Sequence, residues 1–184
     1  MRRHLPMLLV CATGYISASL SLGYSQSNRT ILFDKGAEKM MRSSDIQFAL
    51  NAAQVTSGEM QLGELALKQA SSTAVKQMAS RLIGENQKIR QNLQRTAAEQ
   101  MFELPDNATQ QIILQRHQLI RLSGPAFEVA WIKDLLRDTR ESMQSFRREA
   151  KEGKDSGMKS FAANSLPLLE ARLEALEQLG SYKQ

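Results

Sequence analysis

The amino-acid sequence predicts an all-α fold, an antiparallel four-helix bundle with one short extra helix between the second and third long helices. Helix-favouring Ala, Leu, Gln, Glu, Lys and Arg dominate, whereas aromatics are only 5% and the 184 residues hold just 10 Gly and 4 Pro, too little for the strands and turns of a sandwich or barrel. Hydrophobic residues at 42% against charged residues at 23% supply a real core and exclude wholesale disorder, and the length suits one domain. Apolar residues recur at three- and four-residue spacing in four stretches of similar length.

Residues 1–25 read as a secretory signal peptide. Arg2 and Arg3 stand without an acid, and an apolar stretch from Met7 to Val10 continues through Ala12, Ile16, Leu20 and Leu22 to a small-residue exit at Gly23 and Ser25. The expected cut lies between Ser25 and Gln26, with Ser19 as a second choice. An uncleaved anchor is the alternative, although Gly14, Ser17, Ser19 and Ser21 make the stretch a poor permanent span. Cys11, the only cysteine, lies inside this segment, and Val10 stands where lipidation needs a small residue. The expected mature chain is periplasmic or secreted, with neither a disulfide nor a thiolate metal ligand. Losing Arg2 and Arg3 from 24 basic residues against 19 acidic ones leaves +3, too mild a charge to imply nucleic acid.

Residues 26–43 keep no period and read as a flexible tether, with a helical turn near Ala37 to Met41. Ser44 and Gln47 have capping-box spacing, and Asp45 puts negative charge on the first turn of a helix running to about Ala70. Ser71-Ser72 ends that helix and starts a second, from Thr73 to about Met101; so short a connection makes the two antiparallel neighbours. Glu103 to Asn107, with Pro105, breaks the period, and Asn107 with Gln110 caps a shorter helix to about Leu122. After Ser123-Gly124, Pro125 suits the first position of a helix from Pro125 to Glu152 that ends at Gly153. Asp155 or Ser156 caps the last helix, which runs to about Leu179 and stops at Gly180. The bundle domain is then 44–180, with 181–184 as a tail.

The stripes read Phe48, Ala52, Val55, Leu62, Ala66 on the first helix and Val75, Ala79, Leu82, Ile89, Leu93, Ala97 on the second. On the fourth they read Trp131, Leu135, Met143, Phe146, Ala150, and on the fifth Met158, Phe161, Ser165, Leu168, Leu169, Leu176, Leu179. Each skips a beat near its middle, where a polar residue stands: Glu59, Asn86, Thr139 and Arg172. Mid-helix positions of an up-and-down bundle converge on one layer, so these four are expected to face each other, with Glu85 and Asp138 beside them. A guanidinium attracts Glu59 and repels a cation. The expected arrangement is a buried Arg172–Glu59 ion pair, with Asn86 and Thr139 satisfying the leftover donors and acceptors.

Several segments from Asp45 to Leu179 resemble a known family. They are Phe48 to Ala53, Glu59-Met60-Gln61-Leu62-Gly63-Glu64-Leu65-Ala66, Val75-Lys76-Gln77-Met78-Ala79 and Leu122-Ser123-Gly124-Pro125-Ala126-Phe127, followed by Phe146 to Ala150 and Phe161-Ala162-Ala163-Asn164-Ser165-Leu166-Pro167. Together and in this order they resemble the exported ferritin-like proteins called domain of unknown function 4142. The resemblance implies an Asp-His pair on the second helix, where this chain has Glu85-Asn86, and another on the fourth, where it has Asp138-Thr139. It also implies a His on the last helix, where Arg172 stands. Only Glu59 is retained, so the family's implied metal or proton chemistry does not carry over to these positions, and no cofactor is expected.

His117, the only histidine after the expected cut, lacks a ligand set and reads as a packing or surface residue. Met60, Met78, Met143 and Met158 lie on or beside the apolar stripes and read as core fillers, while Met40-Met41 in the tether makes a thin copper site. Arg147, Arg148, Lys154 and Lys159 make the last helix junction basic; a membrane-surface contact competes there with a solvated helix end. Pro167 inside the last helix frees the Ala163 carbonyl and predicts a kink. No phosphate loop or nucleophile triad is present. Two functions fit: a non-catalytic binding or structural module acting on a protein or other envelope partner, or a metal-binding or oxidoreductase-type bundle using Glu59, Glu85, Asp134 and Asp138.

Overall fold

The computed structural model describes residues 43–181. The expected signal peptide, Cys11, the expected tether up to Arg42 with its Met40-Met41 pair, and the tail after Ser181 lie outside the described residues. Among the described residues there are five helices, α1 Ser43–Gln69, α2 Thr73–Glu99, α3 Gln110–Leu119, α4 Gly124–Glu152 and α5 Ser156–Ser181, and no strand.

Their ends show which polar side chains do the capping. Ser72 starts α2 by accepting the Val75 N–H, and Asp155 starts α5 by accepting the Met158 N–H at 2.8 Å. Thr109, not Asn107, caps α3, accepting the Ile112 N–H at 3.3 Å. Asp106 is tied down by Arg90 and Ser57, so the chain reaches Thr109 before it coils, and Asn107 turns its amide to the Ala108 carbonyl. Asp45 lies in the first turn of α1, as expected, and its buried carboxylate also reaches outside the helix, accepting the N–H groups of Lys154 (3.1 and 3.2 Å) and Asp155 (2.7 Å) at the α4–α5 turn. α2 stops at Glu99 because the chain swings through Met101 in the left-handed region, at φ 54°. α3 ends at Leu119 and relaxes through single-turn bonds to Leu122, while α5 frays one residue past Gly180, where the Ser181 hydroxyl donates to the Gln178 carbonyl.

The long-range contacts define the topology. Trp131 donates its indole N–H to the Leu62 carbonyl at 3.1 Å, and Glu128 accepts from Ser71 and Ser72, so α4 begins beside the end of α1. Asp45 holds the far end of α4 beside the start of α1. Around the bundle the order is α1, α2, α5, α4, each antiparallel to its neighbours, with α2 and α4 parallel on a diagonal. The bundle is therefore not up-down-up-down: residues 100–123, α3 included, form one long crossover of the ferritin-like kind. The crossover lies tight against α1. A Cβ on Gly58 would stand 2.7–2.9 Å from Ile112 and Ala108, and Arg90 donates to the Ala53 and Pro105 carbonyls at 3.0 Å.

Two apolar cores result. One joins Leu62, Leu65, Val75, Leu82, Leu119, Phe127, Trp131, Leu135 and Leu176. The other joins Ile89, Leu93, Met143, Met158 and Leu169 to three touching rings, Phe48, Phe146 and Phe161, with centroids 5.0–6.1 Å apart. Val55, Ala150, Leu168 and Leu179 of the written stripes are only partly buried.

Two glycine substitutions test the crossover packing in urea unfolding. Gly84→Ala meets nothing within 4 Å and should gain up to about 1 kcal/mol from helix propensity. Gly58→Ala should lose about 1–2 kcal/mol, because the overpacking against Ile112 and Ala108 outweighs the same gain.

Candidate functional site

Between the two cores α1, α2 and α5 bring charges together out of water. Arg172 is 0% exposed. Its Nη1 donates to Glu59 Oε2 at 2.8 Å, its Nε to Glu85 Oε2 at 2.8 Å, and its Nη2 to Asn86 Oδ1 at 3.2 Å. Asn86 in turn donates to Glu59 Oε2 at 2.9 Å. The other oxygen of Glu85 takes the Nε of Arg81, half out in solvent, at 2.6 Å. Two carboxylates thus face one buried guanidinium, and a second guanidinium at the surface balances the pair. The rigid fork of arginine makes such multiple, directed donation possible where lysine offers only a point charge.

Spacing had put Glu85 beside the layer; it is a direct partner of Arg172. Thr139 behaves differently from expectation. It is buried at the same level, but among the described residues no partner reaches its hydroxyl. Arg172 and Asn86 spend their polar groups on α1 and α2, and a short side chain on α4 is left out. Glu59 Oε1 is likewise without a hydrogen-bond partner among the described residues. A cavity of about 20 Å³ adjoins it, lined by Thr56, Glu59, Asn86, Ser142 and Arg172 among others.

Asp138 turns away from this group. Its carboxylate accepts from Gln115 on the crossover helix at 2.8 and 3.0 Å and from Arg137 at 3.2 Å. Burial pushes its carboxyl up to about 6 against the opposing pull of Gln115 and Arg137, and the charge of Glu59 adds to the rise. Asp134 pairs with Arg137 at 3.2 Å. Glu59, Glu85, Asp134 and Asp138 therefore divide among three arginines, Arg172, Arg81 and Arg137, instead of gathering. Among the described residues no group of three or more His, Cys, Asp and Glu side chains is placed to hold a metal ion. The donor set at the centre does not fit a cation either, since a guanidinium already occupies the shared carboxylate oxygen.

The other candidates sit apart. His117 is exposed on α3; Met78, Met143 and Met158 are core, and Met60 is half-buried. At the basic junction Arg147 pairs with Glu170 in solvent at 3.0 Å. Three buried ionisable side chains escaped the sequence reading, Glu128, Arg90 and Glu149. Glu128, 0% exposed, accepts the Ser71 and Ser72 N–H groups at 2.8 and 2.6 Å, closing the α1–α2 turn from a third helix. Arg90 straps the crossover to α1. Position was the available signal: Glu128 lies seven residues before Leu135 and Arg90 four after Asn86, both on inward faces.

A family model described as Domain of unknown function (DUF4142) matches residues 33–179. The chain belongs to this family. Neither a curated protein nor a solved structure matches it. The DUF4142 match takes in all five helices to within two residues of the end of α5.

Removing one partner of the central network should be severe. Glu59→Ala is expected to lose about 3–5 kcal/mol in urea unfolding, because it leaves a dry guanidinium short of a counter-charge. A loss below about 0.5 kcal/mol, the size of an exposed surface change, would mean the layer is wet. Asp138 gives a pH test. Its native carboxyl binds its proton more tightly than the unfolded one, so Asp138's own contribution to stability should be full below about pH 4, fall from there to about pH 6 by at most about 3 kcal/mol, and be absent above that. Asp138→Asn should flatten that window.

Proposed function

We propose that this DUF4142 chain is exported, loses its first 25 residues, and acts without catalysis as a binding or structural module in the cell envelope, with no metal centre of its own. The observation that supports this reading most strongly is Arg172, whose buried guanidinium takes one oxygen each of Glu59 and Glu85. In a bundle, cofactors and metals are held by inward side chains at this level. Here Arg172 and Asn86 take one oxygen of Glu59, Arg172 takes one of Glu85, and a fixed positive charge repels a divalent ion. A module without such chemistry acts by contact, and the partner is then a protein or another envelope component. Among the described residues no helix is long and apolar enough to cross a membrane.

Elemental analysis of the purified mature chain tests the metal-free reading; substoichiometric iron, manganese and zinc are expected. Stoichiometric metal that disappears in Glu59→Ala would establish the competing reading, a metal-binding bundle. Mass spectrometry of the chain recovered from a periplasmic or medium fraction should show an N-terminus at Gln26, and a chain found only intact in the cytoplasm would refute export.

A further inference from the structure

The turn from α4 to α5 gathers three carboxyl groups. Asp45 accepts the N–H groups of Lys154 and Asp155, and Asp155 accepts that of Met158. The third is Glu149, 6% exposed in the last turn of α4. Among the described residues no donor reaches its Oε1. The backbone lies directly over that oxygen: a Cβ on Gly153 would stand 2.4 Å from Glu149 Oε1 and 2.6 Å from the Glu149 carbonyl. Gly153 has φ −52° and ψ 152°, which any residue adopts, so what glycine supplies here is the close approach. The charged groups facing Glu149 are Asp45 from α1, Asp155 from the turn and Lys159 from α5. Arg148, Glu152 and Lys154 line the open cleft beside it.

We infer that Glu149 is a proton-controlled clamp on the start of the bundle. Uncharged, it lets the Gly153–Asp155 turn close over it and hold the first turn of α1 through Asp45. Ionised, it becomes a third negative charge in a dry position with Lys159 as its one facing cation, and the turn lifts. The adjoining cleft, about 640 Å³ in volume, gives the ionised side chain a route to water and to Arg148. Burial, then Asp45 and Asp155, push the Glu149 carboxyl up to about 7, and Lys159 pulls the other way. A raised carboxyl binds its proton more tightly in the closed form, so the clamp is firmest in acid, loosens as the pH rises from the ordinary carboxyl range to about 7, and levels off above that. Through Asp45 the clamp sets how firmly the first turn of α1 is held.

The test is amide hydrogen exchange by NMR on the whole mature chain from pH 5.5 to 8.5, corrected for the intrinsic rate. The Lys154 and Asp155 amides, both bound to Asp45, should lose at least tenfold protection between pH 5.5 and about 7 and level off above that, and Glu149→Gln should hold them protected throughout. Wild-type protection that does not change with pH, or an equal loss in Glu149→Gln, would overturn the clamp. Should that variant fold poorly, the carboxyl carbon shift of Glu149 in the wild-type chain decides: a titration midpoint near 7 supports the proposal, and one below 5 refutes it.

Discussion

A guanidinium removed from water has to be matched where it lies, and Arg172 makes that demand at the centre of this protein. Its partners come from two other helices, so the demand is also geometric. Glu59 of α1 and Glu85 with Asn86 of α2 must arrive at the level of one residue of α5. Any slip of a helix by one turn leaves a charge buried and unmatched, at several kcal/mol. An apolar layer in the same place could be as stable or more so, since desolvation takes back much of what the ion pairs return. What the charged layer adds is alignment. It also keeps two apolar cores separate, one built on Trp131 and Leu62 and the other on three phenylalanine rings.

The same device recurs at both ends of the bundle with backbone in place of a guanidinium. Glu128 of α4 holds the α1–α2 turn, and Asp45 of α1 holds the α4–α5 turn. Each is a carboxylate that leaves its own helix to satisfy N–H groups at the start of another, where a helix end presents partial positive charge. The crossover has its own strap in Arg90, and Gly58 lets it lie close. Buried charge in this protein is thus spent on joints.

Much of the fold could be read in the chain because apolar spacing reports which face of a helix is buried, and Ser72, Pro125, Gly153 and Asp155 are local signals acting on their own helices. The skipped beats at Glu59, Asn86 and Arg172 were visible for the same reason. What spacing cannot report is reach. Glu85 lies beside the stripe yet meets Arg172, whereas Thr139 lies on it and bonds to nothing described, because a long side chain can turn to a neighbouring helix and a short one cannot. Asp45, Glu128 and Arg90 act on segments distant in sequence, so their roles depended on helix order. The crossover that fixes that order looked, in sequence, like an ordinary break with a short helix in it.

That order has a consequence for assembly. α1 with α2 and α4 with α5 are hairpins closed by short turns, the pieces most easily formed first. The first carries Glu59 and Glu85 at its middle, the second Arg172. Neither half is electrically complete: one would expose an acidic groove, the other a lone cation on an oily face. Docking neutralises both at once, so a half-built molecule gains little from closing on itself, and the two hairpins are committed to each other.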